Sequence, residues 1–388
     1  MGVNAAAPVT ISAMRPTSPG GTLPRNRRSG ACLAGLLTAT VVVGLYPTFS
    51  SPSAQATGLD RPLFQPGQHV VIGPSPVPDM VLNHQGTRAY VAEEMTNEVV
   101  VVDLADGRVL ARTGTDVSPS GLALSPDGDR LYVACTGNNE GSLDVMSTLS
   151  DRVVSRLAIG GQPNDVALSP DGRYAYVTSV GAVPWAHTPG GGSSSGVLTV
   201  NTATGHVTGW VRTVSDPENV VVSPDGRTLY LISGWGNNRS YLQVLSVPEA
   251  RAVATLSQLG YEAWDLAVRP DGSVVYEITD QTGITDTVRV LSTRTNKIVG
   301  GVPAPSGGAI AFGPDGRSAY VADGGGPDIT VIDASENKVS GSVPVPKPSV
   351  STMTPVDIAI STSGREAYVL SSDVVGDLPG YLTLVNLE

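Results

Sequence analysis

Apolar and polar residues alternate along most of this chain in short runs, and each run is cut by a turn rich in Gly, Pro, Asp or Ser. The best-formed stretch, Gln162 to Ser179, reads QPNDVALSPDGRYAYVTS. Asp165 to Leu168 is a short apolar segment, and Ser169-Pro170-Asp171-Gly172 is a tight turn in which Pro presets φ and Gly accepts a positive φ. Tyr174 to Thr178 then alternates as a second strand, Val197 to Asn201 gives a third, and His206 to Val211 a fourth after the turn Ala203-Thr204-Gly205. The preceding unit has the same order, with Leu143 to Ser147, the turn Leu149-Ser150-Asp151, and Arg152 to Leu157. No helical periodicity follows residue 56, so the pattern predicts an all-β chain.

The phrase recurs. Its Tyr stands at Tyr90, Tyr132, Tyr176, Tyr230, Tyr276, Tyr320 and Tyr368, at spacings of 42, 44, 54, 46, 44 and 48 residues. A period in the forties with four strands per unit predicts a seven-bladed β-propeller of four-stranded antiparallel blades. A unit of about 47 residues is too small to bury two faces alone, so units stack into one ring. The seventh unit ends after its third strand, Tyr381 to Leu387, while an orphan strand, His69 to Ile72, precedes the first. The N-terminal strand is therefore expected to complete the last blade and close the ring.

The N-terminal stretch reads differently. Arg25, Arg27 and Arg28 precede an apolar run of 15 residues, Ala31 to Leu45, and Ala54-Gln55-Ala56 follows. That order is a secretory signal, and the run is short of the ~20 residues of a membrane-spanning helix. The expected organisation is a leader over 1–56, a linker over 57–67 and one propeller over 68–388, exported to the outside or the cell envelope without stable membrane insertion. Arg27-Arg28 leaves twin-arginine export open beside the general route. Removing 56 residues leaves 332, with 20 basic against 35 acidic side chains, a balance that disfavours nucleic-acid partners. Cys135 is then alone, so no internal disulfide forms, and as a lone thiol it reads as a packing residue.

Tyr176-Val177-Thr178-Ser179 after its SPDGR phrase resembles the YVTN-type seven-bladed propeller repeats, which are similar to lactonase-like propellers, surface-layer-associated proteins and the heavy chains of some quinoprotein dehydrogenases. The resemblance runs from about Gln68 to Glu388 and rests on residues that build blades. It implies the fold and leaves the activity open.

Candidate chemistry lies at one position of the innermost strands, occupied in turn by Asp79, Gly121, Asp165, Asn219, Asp265, Ala309 and Asp357. Four carboxylates pointing into one axial funnel repel by roughly 2 kcal/mol per pair at ~8 Å and an effective dielectric of ~20. Protonation, a bound cation or backbone amides would relieve that. Ca²⁺ suits several hard oxygen ligands, making Asp79, Asp165, Asp265 and Asp357 candidate metal ligands at the channel mouth. Asn164-Asp165 also resembles a phrase of gluconolactonase-type propellers, whose channel metal site uses Asn, Asp and Glu. The alternative is that each Asp bonds the neighbouring blade's backbone and fastens the ring. The turn residues Asp127, Asp171, Asp225, Asp271 and Asp315 read as local amide caps. The four histidines (His69, His84, His187, His206) have no metal-ligand spacing.

The long spacing marks an insertion, Gly181 to Gly196, carrying Trp185 and His187. Strand order puts it on the same face as Trp235, Tyr261, Trp264 and Glu93, with Glu94, Asp280, Asp323 and Asp373 nearby. These residues are the candidate ligand-binding set for a protein, peptide, glycan or small molecule; the equal alternative is a loop of no consequence, with Trp264 packed between blades. The leading expectation is a secreted, monomeric binding or scaffold propeller. The rival is a divalent-cation-dependent lactonase- or lyase-type enzyme in which Asp165 with Asp265 or Asp357 holds the cation. A quinoprotein-like subunit ranks behind both.

Overall fold

The computed structural model describes residues 64–388 except 138–139, 182–194, 235–238, 260, 282–286, 305–307, 325, 327, 347–352 and 374–377. Strand β1 (His69–Pro74) opens the described chain. Blade 1 is β2 (Met80–Leu82), β3 (Arg88–Glu93), β4 (Glu98–Asp103) and β5 (Arg108–Gly114). Blade 2 is β6 (Ser118–Leu124), β7 (Arg130–Thr136), β8 (Ser142–Ser147) and β9 (Arg152–Ala158). Blade 3 is β10 (Gln162–Leu168), β11 (Tyr174–Val180), β12 (Gly196–Asn201) and β13 (His206–Arg212). Blade 4 is β14 (Pro217–Val222), β15 (Thr228–Ser233), β16 (Arg239–Ser246) and β17 (Arg251–Leu259). Blade 5 is β18 (Tyr261–Val268), β19 (Val274–Gln281), β20 (Thr287–Ser292) and β21 (Lys297–Pro303). Blade 6 is β22 (Gly308–Phe312), β23 (Ser318–Asp323), β24 (Asp328–Asp333) and β25 (Lys338–Pro344). Blade 7 is β26 (Met353–Ile360), β27 (Glu366–Asp373) and β28 (Pro379–Asn386), completed on its outer edge by β1.

Every sheet has four antiparallel strands, in sequence order from the inside out in blades 1 to 6 and with β1 outermost in blade 7, so the chain is an all-β, seven-bladed β-propeller. The expected closure is present, with His69 opposite Thr383 and Val70 opposite Leu382. Among the described residues no helix is long and apolar enough to cross a membrane.

Seven apolar clusters hold the wheel together, one at each junction between neighbouring blades. The repeated Tyr earns its position there. Tyr90, Tyr132, Tyr176, Tyr230, Tyr276 and Tyr368 are buried in these junctions, and Tyr320 is half-buried in its own. The junction between blades 7 and 1 draws Val70 and Ile72 from β1 together with Ala89, Val91, Leu382 and Leu384. Burying such aliphatic side chains, at roughly 1.5–3 kcal/mol each, gives the closing strand a packing role beyond its ladder.

The SPDG turns join neighbours as well as strands. Ser169 Oγ donates to Asp171 Oδ1 at 2.6 Å, and Asp171 Oδ1 also accepts the Arg173 amide at 3.1 Å. The same caps recur at Asp127, Asp225 and Asp271, and Asp315 accepts the Arg317 amide. Gly172, at φ 69°, lies against Pro126 of the preceding blade's turn, where an added Cβ would come within 3.2 Å of Pro126 Cδ. The Pro–Gly pair thus meets two demands, a turn within one blade and a contact with the next. The outer edges are blunted in another way. In β5, β9, β13, β17, β21 and β25 the first residue is basic and a register shift follows within the first turn of the ladder. Charge and bulges of this kind discourage edge-to-edge pairing with another chain.

Candidate functional site: the axial carboxylate ring

The innermost strand of each blade is an edge strand facing the axis, so some of its amides have no ladder partner and need an acceptor. The aspartates supply it. Asp165 Oδ1 accepts the amide of Val166 at 2.7 Å, and its Oδ2 accepts that of Val220 in blade 4 at 2.8 Å. Asp265 does the same with Leu266 at 2.7 Å and with Ile310 of blade 6 at 2.8 Å. Asp357 takes Ile358 at 2.7 Å and Met80 of blade 1 at 2.8 Å. Asp79 accepts Leu122 of blade 2 at 2.5 Å. The amide after the key position is thereby capped in all seven blades.

The alternation of Asp with Gly121, Asn219 and Ala309 now has a reason. One aspartate serves two blades, its own and the next, so the next blade needs only a small or neutral residue there. At Gly121 it must be small, because a Cβ would fall 2.6 Å from Asp165 Cα and 2.7 Å from its Oδ1. Seven blades cannot alternate perfectly. Asp357 and Asp79 are therefore neighbours at the closing seam. Four carboxylates offer eight oxygens to seven amides, and one oxygen of Asp79 is left without an amide because Asp357 has taken that of Met80. The two carboxyl groups instead hydrogen-bond each other.

These groups line the axial opening and keep intermediate exposure, yet they sit among inner strands that remove most of their hydration. Burial is the main force raising every one. Asp265 is pushed up to about 8, with the Ile310 amide opposing. Asp165 goes to about 7 against the amides of Val220 and Val166. Asp357 reaches about 6, eased by the Met80 amide and the bond from Asp79. Asp79 is raised well above the carboxylate range, by burial first and then by the charges of Asp357 and Asp165. The two carboxyls therefore titrate together and share a proton.

Asp165, Asp265 and Asp357 thus lie midway along their strands and Asp79 just before β2, and all four bond the backbone of a neighbouring blade. Seven of their eight oxygens already serve amides, and among the described residues no group of three or more His, Cys, Asp or Glu is placed to hold a metal ion.

The loop-face residues fare differently from one another. Glu93 is fully buried, not presented to a ligand; its carboxylate accepts the Met95 amide at 2.9 Å and the Thr96 amide and hydroxyl. Trp264 is the extra residue in the register shift between Ala263 and Asp265, and it packs on the core between blades 5 and 6. Tyr261 opens β18 opposite Gln281. Trp185, His187 and Trp235 lie outside the described residues. Asp323 and Asp373 are buried at the ends of their strands, and Asp373 Oδ2 accepts the Leu378 amide at 3.0 Å. Cys135 is fully buried, and burial drives its thiol far up, as for an unreactive packing residue.

Two buried charge pairs had gone unnoticed in the sequence. Asp144 is fully buried and receives Arg156 Nε at 2.9 Å and Nη2 at 2.9 Å, with Asp116 on the same guanidinium. Glu277 is fully buried with Arg289 Nε at 3.6 Å. Both pairs stand directly opposite across a ladder, Asp144 and Arg156 on the third and fourth strands of blade 2 and Glu277 and Arg289 on the second and third of blade 5, a signal readable once those strands are aligned.

No profile of a known protein family matches the chain. It is 27% identical over 286 residues to the seven-bladed beta-propeller protein Rv1057 of Mycobacterium tuberculosis, covering 67% of this chain and 71% of that protein. In three dimensions it is similar to a chain of hydrazine synthase from Kuenenia stuttgartiensis, with a TM-score of 0.67 and 18% identity over 86% of this chain and 99% of that one. The latter likeness is one of fold.

Proposed function

We propose that this is a YVTN-type, exported propeller that works as a binding or scaffold module through the loops that join second to third strands and blade to blade. One observation carries the reading. The residues best suited to chemistry, the four axial aspartates, are engaged in capping seven backbone amides, so their conservation of geometry serves the ring. Binding then falls to the loops, where the chain places its insertion with Trp185 and His187 and, in another loop, Trp235. The mature acidic balance favours a neutral or cationic partner, whether protein, peptide, glycan or small molecule. The lactonase- or lyase-type alternative needs a divalent cation held by carboxylates that already accept backbone amides.

The test has two arms. Thermal melting of the full chain in EDTA and then in excess Ca²⁺ is expected to give one midpoint; a rise of several degrees with Ca²⁺ would favour the metal enzyme. Glycan-array and peptide-array binding is expected to be lost in a Trp185→Ala, Trp235→Ala double variant that melts like the parent. Binding that survives both substitutions would remove the loop-face reading.

A further inference from the structure

At the junction between blades 3 and 4 the blade-4 turn carries apolar side chains at two positions that are polar in several other blades. In blade 5 the second-strand Tyr reaches the turn between third and fourth strands of blade 6. Tyr276 Oη donates to Asn337 Oδ1 at 2.5 Å. Tyr132 and Tyr90 lie beside Thr202 and Thr148 of the corresponding turns. Arg88 reaches Asp151 at 3.3 Å. In blade 4 the place of Thr148 and Thr202 is taken by Val247, which makes the same backbone bond to the preceding turn. The place of Asp151 and Asn337 is taken by Ala250, which keeps their left-handed backbone at φ 48°. Neither side chain can accept a hydrogen bond. Tyr176 is influenced by burial, by the charge of Asp171 and by Tyr174, and its hydroxyl has no acceptor among the described residues.

The missing partners leave space. A cleft of about 220 Å³ opens at this junction, walled by Tyr174, Tyr176, Thr199, Trp210, Leu245 and Ala250, with Gly209 adding no side chain. That volume exceeds the roughly 150 Å³ of an apolar protein cavity that accepts benzene. Its walls are mainly aromatic and aliphatic, the hydroxyls of Tyr174, Tyr176, Thr199 and Ser246 are its polar groups, and no cation lines it. Ala250 holds a conformation in which Gly, Asn or Asp would be relaxed, so the chain tolerates strain at the place where an acceptor is missing.

We propose that this cleft binds a neutral, single-ring aromatic carbonyl compound, the ring against the apolar walls and the carbonyl oxygen accepting from the hydroxyls of Tyr176 and Tyr174. A carboxylate is disfavoured by the nearby Asp171 and by the lack of a positive group. The site is distinct from the axial aspartates and from the loop face.

Acetophenone is the probe, measured on the full chain by saturation-transfer NMR and calorimetry. Saturable binding to one site is expected, with ethylbenzene, which lacks the acceptor, weaker by roughly fivefold or more. Tyr176→Phe removes only the donor and is expected to keep the melting midpoint while weakening acetophenone roughly tenfold. Ala250→Asn restores the acceptor of blade 6 and relaxes the left-handed backbone, so its midpoint should not fall while binding is lost. Absence of saturable binding, equal affinity for ethylbenzene, or unchanged affinity in either variant overturns the proposal.

Discussion

Asp357 accepts the amide of Met80, the residue that follows Asp79, and so turns the carboxyl of Asp79 toward its own. Blades 3, 5 and 7 each cap their own amide and the next blade's with one Asp. Blade 1 inherits a cap and still carries an Asp to serve blade 2. The odd oxygen is thus a consequence of ring parity, and it falls where the chain's two ends meet. A shared proton is what lets two carboxyl groups stand there together.

Stability should fall as pH rises from mildly acidic to mildly alkaline. Asp165, Asp265 and Asp357 have folded values of about 7, about 8 and about 6, and Asp79 is also raised, all above the ordinary 3.8 of the unfolded chain. A raised carboxyl binds its proton more tightly when folded, so its stabilisation is full below 3.8 and is lost as pH climbs through 6 to 8. The turn residues Asp127, Asp171, Asp225 and Asp271 are held low, chiefly by Ser hydroxyls, and act oppositely: their contribution is present above 3.8 and lost as acid protonates them. The melting midpoint is therefore expected to peak at mildly acidic pH and decline toward pH 9. A midpoint that rises steadily from pH 5 to 9 would contradict the buried ring as described.

Asn substitution should distinguish the seam from the other staples. In Asp79→Asn the amide nitrogen can donate to Asp357 while the oxygen still accepts from Leu122, so a proton is no longer needed. That variant is expected to match the parent near pH 5 and to lose less stability by pH 9. In Asp165→Asn one of the amides of Val166 and Val220 meets an NH₂ group, at a cost of about 1–3 kcal/mol at any pH. Denaturant midpoints at the two pH values separate these outcomes, and equal behaviour of the two variants would count against the assignment of the odd oxygen to Asp79.

The wheel was legible because its signals repeat: Tyr positions mark the junctions, SPDG turns mark the blades, and the chain ends predict that β1 completes blade 7. The row of inner-strand aspartates was legible too, as was the choice between cation and backbone. Which amides they cap was not, because that depends on which N–H groups face the free edge of strands kinked by register shifts such as Pro163 to Val166. Glu93 looked like a loop-face acid because it ends a second strand, but Met95 and Thr96 fold back over it. Trp264 read equally as a loop-face residue or as packing between blades, and the extra residue at its own register shift turns it into a junction.

Gly121→Ala should be among the more damaging small substitutions. The added methyl would lie 2.6 Å from Asp165 Cα and 2.9 Å from the carbonyl oxygen of Asn164, both backbone atoms that cannot step aside. Overpacking of this kind costs about 1–3 kcal/mol, and the shift must also disturb the Asp165 staple to blade 4. The measurement is the urea midpoint beside that of Gly300→Ala, where no atom lies within 4 Å of the new methyl. Similar midpoints for the two variants would mean that blades 2 and 3 are not in the close contact seen at the axis.

The closing strand offers a test within two adjacent residues. Ile72 is fully buried in the cluster that joins blades 7 and 1, whereas its neighbour Val71 is 53% exposed on the same strand. Ile72→Ala removes packing shared by both ends of the chain and should cost about 2–5 kcal/mol. Val71→Ala changes an exposed position and should stay within about 0.5 kcal/mol. Chemical denaturation of each variant decides the matter, with hydrogen exchange on the amides of β28 as a second reading. Loss of protection confined to β28 and β1 in Ile72→Ala would locate the weakness at the seam. Equal costs at the two positions would show that β1 rests on the ring without locking it, because only a strand seated in the junction makes one face matter and the other not.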